Sequence, residues 1–108
     1  MNTEFMTADT NLPPCLPLPG AMLGLPVSST AKVMYAKLLG AVLTAGVEDA
    51  NGMLLSVPLA ELAVALGRST QTCKRALREL EAAGLILWVR QGIGAPNRIY
   101  VLVPKKRD

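Results

Sequence analysis

Apolar side chains recur at helical spacing in three stretches of this chain. The first stretch follows the hydroxyl residues 28–30, which can cap a helix, and runs to about Thr44. Gly46 then ends the helical pattern. Acidic side chains and an Asn-Gly pair within residues 48–52 predict a tight turn, and the apolar residues 53–57 predict a brief strand. The first half of the domain should therefore contain a helix, a turn and a short strand.

The second and third helical stretches are separated by only a few residues. The second begins at Pro58, which suits the first turn of a helix, and ends at Gly67. The third begins at Ser69, a good N-cap residue, and ends at Gly84, which can adopt the left-handed conformation. Two helices joined by a turn of about three residues containing a glycine have the spacing of a helix-turn-helix.

The third helix has one apolar face and one cationic face. The apolar face carries Cys73, Ala76, Leu77 and Leu80. The opposite face carries, at i, i+3, i+4 and i+7, the side chains Gln71, Lys74, Arg75 and Arg78. Solvated helix faces usually mix charges of both signs, but here Glu79 and Glu81 lie off the cationic stripe, toward its C-terminal end. The stripe therefore favours an anionic partner, and a merely solvated face is the alternative.

Two further apolar stretches predict a β-hairpin. They span residues 85–90 and 98–103, and residues 91–97 between them are rich in glycine and other turn formers. Helix, short strand, two helices and hairpin is the order of a winged helix-turn-helix. The predicted fold is therefore mainly α with a small β-hairpin (α+β), built of three helices plus a wing, over residues 25–103.

Both ends of the chain are predicted to lie outside this domain. Residues 1–24 contain Leu-Pro-Pro-Cys-Leu-Pro-Leu-Pro and no periodicity, which favours a flexible or polyproline-like arm over a packed element. An arm lying on its own domain is favoured over a Pro-rich ligand for another protein. Residues 104–108 favour a frayed basic tail. The start lacks a basic segment and prolines interrupt its apolar residues, so neither a signal peptide nor a membrane-spanning helix fits. We expect a cytoplasmic protein without a membrane partner.

Charge is distributed unevenly along the chain. The net charge of +3 combines −3 for residues 1–67, with two basic and five acidic side chains, and +6 for residues 68–108, with nine basic and three acidic side chains. A positive field on the C-terminal half suits a nucleic-acid surface. The two cysteines are too few for a disulfide framework and indicate a reducing compartment.

Three segments of the sequence resemble one protein family. They are Ser28-Ser-Thr-Ala-Lys-Val-Met-Tyr-Ala-Lys-Leu-Leu39, Arg75-Ala-Leu-Arg-Glu-Leu-Glu-Ala-Ala-Gly-Leu-Ile86 and, most distinctive, Arg90-Gln-Gly-Ile-Gly-Ala-Pro-Asn-Arg-Ile-Tyr-Val101. Over about residues 16–103 the chain resembles the N-terminal winged-helix domain of plasmid replication initiator protein A. The resemblance implies a dimer that binds duplex DNA at a replication origin or operator, in a bacterial plasmid or mobile element, as an initiator or a transcriptional regulator.

The predicted DNA contacts lie on the third helix and at the base of the wing. Cations of the helix are expected to reach phosphates and base edges in the major groove, together with polar residues at its N-terminus. Residues flanking the wing are expected to grip the backbone or minor groove, although turn geometry alone also explains the composition there. The predicted contacts are Ser69, Thr70, Gln71, Thr72, Lys74, Arg75, Arg78, Arg90, Gln91, Asn97 and Arg98.

Other chemistry finds little support in the sequence. There is no histidine, the acidic residues are scattered, and the pattern places no base near a serine or cysteine. We therefore expect a non-enzyme without cofactor or metal, in which Cys73 is simply buried.

The apolar composition and the Pro-rich arm suggest an alternative function. It is a winged-helix protein-interaction module that does not bind DNA directly, with a protein partner contacting the N-terminal arm or Trp88. For the homodimer, the first helix and the arm are the expected surface.

Overall fold

Within the described residues, three α-helices and a four-stranded antiparallel sheet form the fold. A computed structural model describes residues 1–90 and 97–104. The helices are α1 (Ser29–Ala45), α2 (Leu59–Leu66) and α3 (Thr70–Ala82). The strands, in sheet order β1-β2-β4-β3, are β1 (Val47–Asp49), β2 (Gly52–Val57), β3 (Ile86–Val89) and β4 (Asn97–Val101). This architecture confirms the predicted α+β winged helix.

The predicted caps bound all three helices. The Oγ of Ser28 accepts the N–H of Ala31 at 3.1 Å at the start of α1. Pro58 is the N-cap of α2, and Gly67 ends that helix with a positive φ of 64°. Gly84, with φ of 76°, follows α3 in the left-handed conformation. Residues 67–69 join α2 to α3, which confirms the predicted short turn.

The sheet is larger than the predicted hairpin. Part of the predicted turn at residues 48–52 belongs to β1, which pairs with β2 so that Val47 lies opposite Leu54. Strand β2 also pairs with β4, and Leu55 lies opposite Ile99. These two residues are separated by more than forty positions, so no local pattern could reveal their pairing. The two strands of the predicted hairpin therefore form one half of a four-stranded sheet, and the predicted short strand belongs to the other half.

The core lies between the helices and one face of the sheet. Because side chains alternate across a strand, the inner face carries Ile86, Trp88 and Ile99, all at most 6% exposed. Cys73 of α3 is fully buried, as predicted, and burial raises the pKa of its thiol. The outer face of the sheet has no helix packed on it among the described residues.

The end of the N-terminal arm forms a packed element, whereas the sequence predicted only an arm lying on its own domain. Residues Gly20–Gly24 form a 3-10 helix, and the side chain of Met22 is fully buried in the core. The Nζ of Lys32 donates to the carbonyl oxygen of Leu23 at 2.9 Å and so fastens this turn to α1. A single buried methionine in a proline-rich stretch has no periodic neighbours, and the sequence pattern could not reveal it.

The arm also covers part of the outer side of α1. A Cβ added at Gly40 would lie 3.2 Å from Cδ of Pro17 and 3.3 Å from Cδ2 of Leu16, so the arm passes close to the helix there. Ala36, one helical turn earlier, is only 6% exposed although it lies away from the core. The predicted dimer surface on the first helix and arm is therefore partly used for contacts within the chain.

Two predicted features fall outside the described residues. They are most of the wing loop, at residues 91–96, and the end of the basic tail, at residues 105–108. In the part of the chain that the structure describes, no helix combines the length and apolar character needed to cross a bilayer.

Replacing Met22 with alanine tests the packing of the arm. Truncating a fully buried methionine should lower the free energy of unfolding by about 2–5 kcal/mol, through lost burial and the cavity left behind. The measurement is chemical denaturation followed by circular dichroism. Leu23→Ala is the matched control, because the neighbouring side chain is 66% exposed and should change stability little. Equal effects of the two substitutions would show that the arm is not packed.

Candidate nucleic-acid interface

Four polar side chains project from α3 and form what we call the basic ridge. They are Gln71, Lys74, Arg75 and Arg78, and all four are exposed. The opposite side of the same helix is fixed in the core by Leu77 and Leu80, which are fully buried. Since successive residues are about 100° apart on a helix, burying one side forces the other outward. The predicted cationic face is therefore presented to solvent.

The three cations of the basic ridge have no carboxylate partner in residues 1–90 and 97–104. The only ion pair found there within 4.0 Å joins Arg90 to Glu81. Unpaired cations on a rigid helix keep their donors available for an incoming anion. The ridge can therefore bind phosphates or acceptor atoms of bases without first breaking an internal ion pair.

The N-terminus of α3 uses two of its predicted contact residues as a cap. The Oγ of Ser69 accepts the N–H of Thr72 at 3.1 Å and donates to Oγ1 of Thr72 at 3.0 Å. Thr72 is also half-buried. Thr72 therefore lies off the ridge with its hydroxyl already hydrogen-bonded, and its contact with DNA stays a prediction. Thr70, one residue after the cap, is exposed.

Glu79 ties α3 to the start of α1. Its Oε1 accepts the N–H of Ser28 at 2.9 Å, and its Oε2 accepts the Oγ–H of Ser28 at 2.6 Å. These hydrogen bonds lower the pKa of Glu79, with a smaller contribution from the positive charge of Arg75. A carboxylate at a helix N-terminus is also favoured by the helix dipole. The link orients α3, and with it the basic ridge, relative to α1.

Glu81 ties the other flank of α3 to β3. Its Oε2 accepts the N–H of Trp88 at 3.2 Å, and its Oε1 lies 3.7 Å from Nη2 of Arg90. The guanidinium carbon of Arg90 lies 3.8 Å from the centre of the Trp88 ring. Trp88 is only 6% exposed, so its prediction as a protein-interaction residue is wrong. Its ring packs on the core and supports Arg90.

The alternation of the hairpin strands separates two arginines that were predicted to act together. Arg90 follows Trp88 by two positions, so it points to the helix side of the sheet and lies beside α3. Arg98 neighbours the buried Ile99 on β4 and is exposed on the outer face, away from the helices. Arg98 therefore lies on a different surface from the basic ridge, and its contact with DNA stays a prediction.

On the outer face, Arg98 contributes to the charge balance of a carboxylate instead. The hydroxyl of Tyr100 donates to Oδ2 of Asp49 at 2.6 Å, and the N–H of Asn51 donates to Oδ1 at 2.7 Å. These hydrogen bonds lower the pKa of Asp49, with a smaller effect from the charge of Arg98. The contact joins the turn between β1 and β2 to β4.

A family model identifies the protein family to which the chain is related. The model for the N-terminus of replication initiator protein A (RepA) matches residues 25–105, about three quarters of the sequence. The chain belongs to the RepA N-terminal domain family. The comparison with curated proteins gives no match.

Solved structures similar to this RepA N-terminal domain share its fold. One described as "Structure of Rep-DNA complex" has a TM-score of 0.72 at 18% identity, covering 97% of this chain and 88% of that chain. Another, "Structure of MDR initiator", has a TM-score of 0.70 at 22% identity, covering 96% and 89%. A third, "N-Terminal domain of DNA binding protein", has a TM-score of 0.63 at 17% identity, covering 99% and 88%.

The structure also adds residues that sequence reasoning missed. Arg68, in the turn of the helix-turn-helix, is an exposed cation of this RepA domain directly before α3. Because Arg68 directly precedes the N-cap of α3, it could have been identified from the sequence. The role of Glu81 in holding Arg90 had no such signal, because it depends on how a strand packs against the helix. Asn97 is half-buried at the start of β4, and Gln91 lies outside the described residues.

In the described parts of this RepA domain, no group of three or more cysteine or acidic side chains is arranged to hold a metal ion. A groove of about 470 Å³ lies between α1, α2 and β2 and is lined mainly by apolar side chains, with Lys37 and Glu61 among the lining residues. The basic ridge and Arg90 can bind an extended anion through their charge and their hydrogen-bond donors.

Replacing Glu79 with glutamine tests the link between α3 and α1 through its pH dependence. The folded-state pKa of Glu79 is below its ordinary value of 4.5, so its carboxylate stabilises the fold above that pH. This stability is lost as the pH falls through the lowered pKa. Glu79→Gln should therefore reduce the melting temperature by a few degrees near neutral pH, and the difference from the wild type should vanish in strong acid.

Thermal unfolding by circular dichroism at a series of pH values measures this difference. Glu48→Gln is the control, since Glu48 is exposed on β1 and has no hydrogen-bond partner of this kind among the described residues. A difference between Glu79→Gln and the wild type that stays constant with pH would show that the carboxylate charge is not what stabilises the link.

Proposed function

We propose that this chain binds duplex DNA by placing α3 in the major groove, as the DNA-binding domain of a replication initiator or a related transcriptional regulator of a bacterial plasmid or mobile element. The observation that carries the proposal is the basic ridge, whose Lys74, Arg75 and Arg78 are exposed beside a fully buried helix face. The structural neighbour described as a Rep-DNA complex supports it.

The dimensions of α3 suit this role. An α-helix with its side chains is about 10–12 Å wide, and the major groove of B-DNA is about 12 Å wide. The 13 residues of α3 place Gln71 near its N-terminus and Arg78 two turns later on the same side. Gln71 can hydrogen-bond adenine, and an arginine can bind guanine through two hydrogen bonds. Bases and phosphates would thus be contacted along one helix face.

The proposed DNA contacts fall into groups according to their position around α3. Lys74, Arg75 and Arg78 provide the central contacts, and Gln71 with Thr70 provides contacts at the N-terminus of α3. Arg90 joins them from the wing side, and Arg68 adds a cation in the preceding turn. The half-buried Asn97 stays a prediction at the edge of this surface. The proposed activity is binding alone, without catalysis, a cofactor or a metal.

The proposal includes a homodimer formed through the outer face of the sheet. Across the four strands, Val47, Leu54, Tyr100 and Leu87 lie opposite one another in a single row. Val47 is 65% exposed at one edge and Leu87 50% exposed at the other. A two-fold axis through the middle of this row would pack Val47 of each copy against Leu87 of its partner, so the row is self-complementary.

The same row favours one alternative function, a protein-interaction module that does not contact DNA. Exposed apolar side chains such as Val47 and Leu87 are commonly used for association with another protein. The two functions differ in their response to salt. DNA binding weakens steeply as the salt concentration rises, because each neutralised phosphate releases condensed counterions, whereas an apolar protein contact does not.

Changing Arg75 and Arg78 together to alanine tests the DNA-binding proposal. Losing two cations of the ridge should weaken binding to a selected duplex by about a hundredfold or more. Both side chains are exposed, so the melting temperature should stay within about 3 °C of the wild type. The duplex is first selected from a random pool, and affinity is measured by fluorescence anisotropy at several salt concentrations.

The control for this experiment is Lys37→Ala. It removes one cation from α1 beside the apolar groove, away from the basic ridge. Its effect on affinity should be small compared with that of either single arginine substitution. Unchanged affinity of the Arg75 and Arg78 double variant would overturn the proposal. Saturable binding of a protein at high salt, without duplex binding, would establish the interaction module instead.

Charged substitutions on two surfaces test the proposed dimer. Leu87→Asp should convert the dimer to a monomer, because it places a carboxylate against the apolar side chain of Val47 in the second copy. Val33→Asp on α1, where the side chain is 52% exposed, should leave the dimer intact. Analytical ultracentrifugation measures both. If Val33→Asp gives a monomer and Leu87→Asp does not, the dimer surface is on the first helix, as the sequence predicts.

A further inference from the structure

Arg90 is the one arginine beside α3 whose side chain is already held in place by two neighbours in the described structure. We infer that Glu81 and Trp88 position Arg90 to bind a DNA phosphate on the wing side of the basic ridge, so that Glu81 strengthens DNA binding although it is itself negatively charged. This inference rests on the proposed function and assigns it a positioning residue.

Arg90 is stacked on the ring of Trp88. Its guanidinium carbon lies 3.8 Å from the centre of the Trp88 ring, a distance typical of a cation–π contact. The ring cannot swing away, because Trp88 is only 6% exposed and packs in the core. One face of the planar guanidinium is therefore supported by a rigid surface.

Arg90 keeps N–H donors with which it can bind a phosphate. The contact with Glu81 is long, 3.7 Å between Nη2 and Oε1, and the side chain of Arg90 is 51% exposed. A guanidinium has five N–H groups in a planar fork, and stacking on an indole uses none of them. Arg90 can therefore keep its contacts with Trp88 and Glu81 and still donate two parallel hydrogen bonds to a phosphate.

Arg90 lies on the same flank of α3 as Lys74 of the basic ridge. Glu81 follows Lys74 by seven residues, so the two side chains lie two turns apart on the same flank of α3. Arg90 is brought to this flank by its contact with Glu81. A phosphate of the strand bordering the major groove would thus meet Lys74 and Arg90 along one side of the helix.

Holding the Arg90 side chain in place before DNA binds reduces the loss of side-chain entropy on binding. A free surface arginine loses much of its rotamer freedom when it binds a phosphate, and this loss reduces affinity. Stacking on Trp88 and pairing with Glu81 impose most of that order in the unbound protein. Glu81 serves a second purpose, since its Oε2 accepts the Trp88 N–H at the open edge of β3 and keeps the strand against α3.

A double-mutant cycle on duplex affinity tests the inference. The variants are Glu81→Gln, Arg90→Ala and the two combined, each measured by anisotropy at several salt concentrations with the duplex selected for the wild type. Glutamine keeps an oxygen that can accept the Trp88 N–H, so the strand edge should remain closed. Arg90→Ala should weaken binding and reduce the slope of log affinity against log salt by about 0.9, the value for one lost phosphate contact.

The effect of Glu81→Gln decides the role of the carboxylate. With Arg90 present, Glu81→Gln should weaken binding about threefold, whereas in the Arg90→Ala background it should have no effect or tighten binding slightly. If Glu81 only repelled the phosphates, Glu81→Gln would tighten binding by the same factor in both backgrounds, and the inference would be overturned. A merely structural role would lower affinity equally in both backgrounds, which would also overturn it.

Trp88 supplies an independent signal, because it is the single tryptophan of the chain. Its fluorescence in the free protein should change on Arg90→Ala and, to a smaller degree, on Glu81→Gln, since both alter the cation over the ring. An emission spectrum that is the same in all three proteins would contradict the positioning of Arg90. Wild-type protein that binds no duplex would overturn the proposed function and this inference together, whereas binding without coupling overturns the inference alone.

Discussion

The structure depends most on the burial of one side of α3. Cys73, Leu77 and Leu80 are fully buried between α1, α2 and the inner face of the sheet. Their burial stabilises the three-helix body and, by the geometry of the helix, sets the direction of the opposite side. The exposure of Lys74 and Arg78 is thus a consequence of core packing. The proposed DNA-binding surface and the core are two sides of one helix, and neither can rotate without the other.

Two carboxylates refine this arrangement from opposite flanks of α3. Glu79 accepts two hydrogen bonds from Ser28 at the start of α1, and Glu81 accepts one from Trp88 on β3. Acidic residues on a helix proposed to bind DNA would be unfavourable if they faced the phosphates. Here both are turned toward neighbouring elements, where hydrogen-bond donors stabilise the two carboxylates and the guanidinium of Arg90 lies beside that of Glu81. The acids therefore brace the cationic surface instead of opposing it.

The sheet divides the remaining charged and apolar groups between two surfaces. Arg90 lies on the side of the helices, where it extends the proposed DNA surface, whereas Arg98 lies on the outer face near Asp49. The same outer face carries the exposed Val47 and Leu87. One sheet thus separates the proposed DNA surface from the proposed dimer surface, so that both could be used at the same time.

The sequence by itself determined the elements whose causes are local. Ser69 and Gly84 bound α3 through capping and a left-handed turn, and helical periodicity separated Leu77 from Arg78. Tertiary structure alone decided what depends on distant neighbours. It added β1 to the sheet, buried Met22 from the arm, turned Arg98 away from α3 and placed Glu81 beside Arg90. Caps and periodicity act over a few residues and are visible in any short window, whereas strand pairing and packing join residues far apart in sequence, and no local pattern records them.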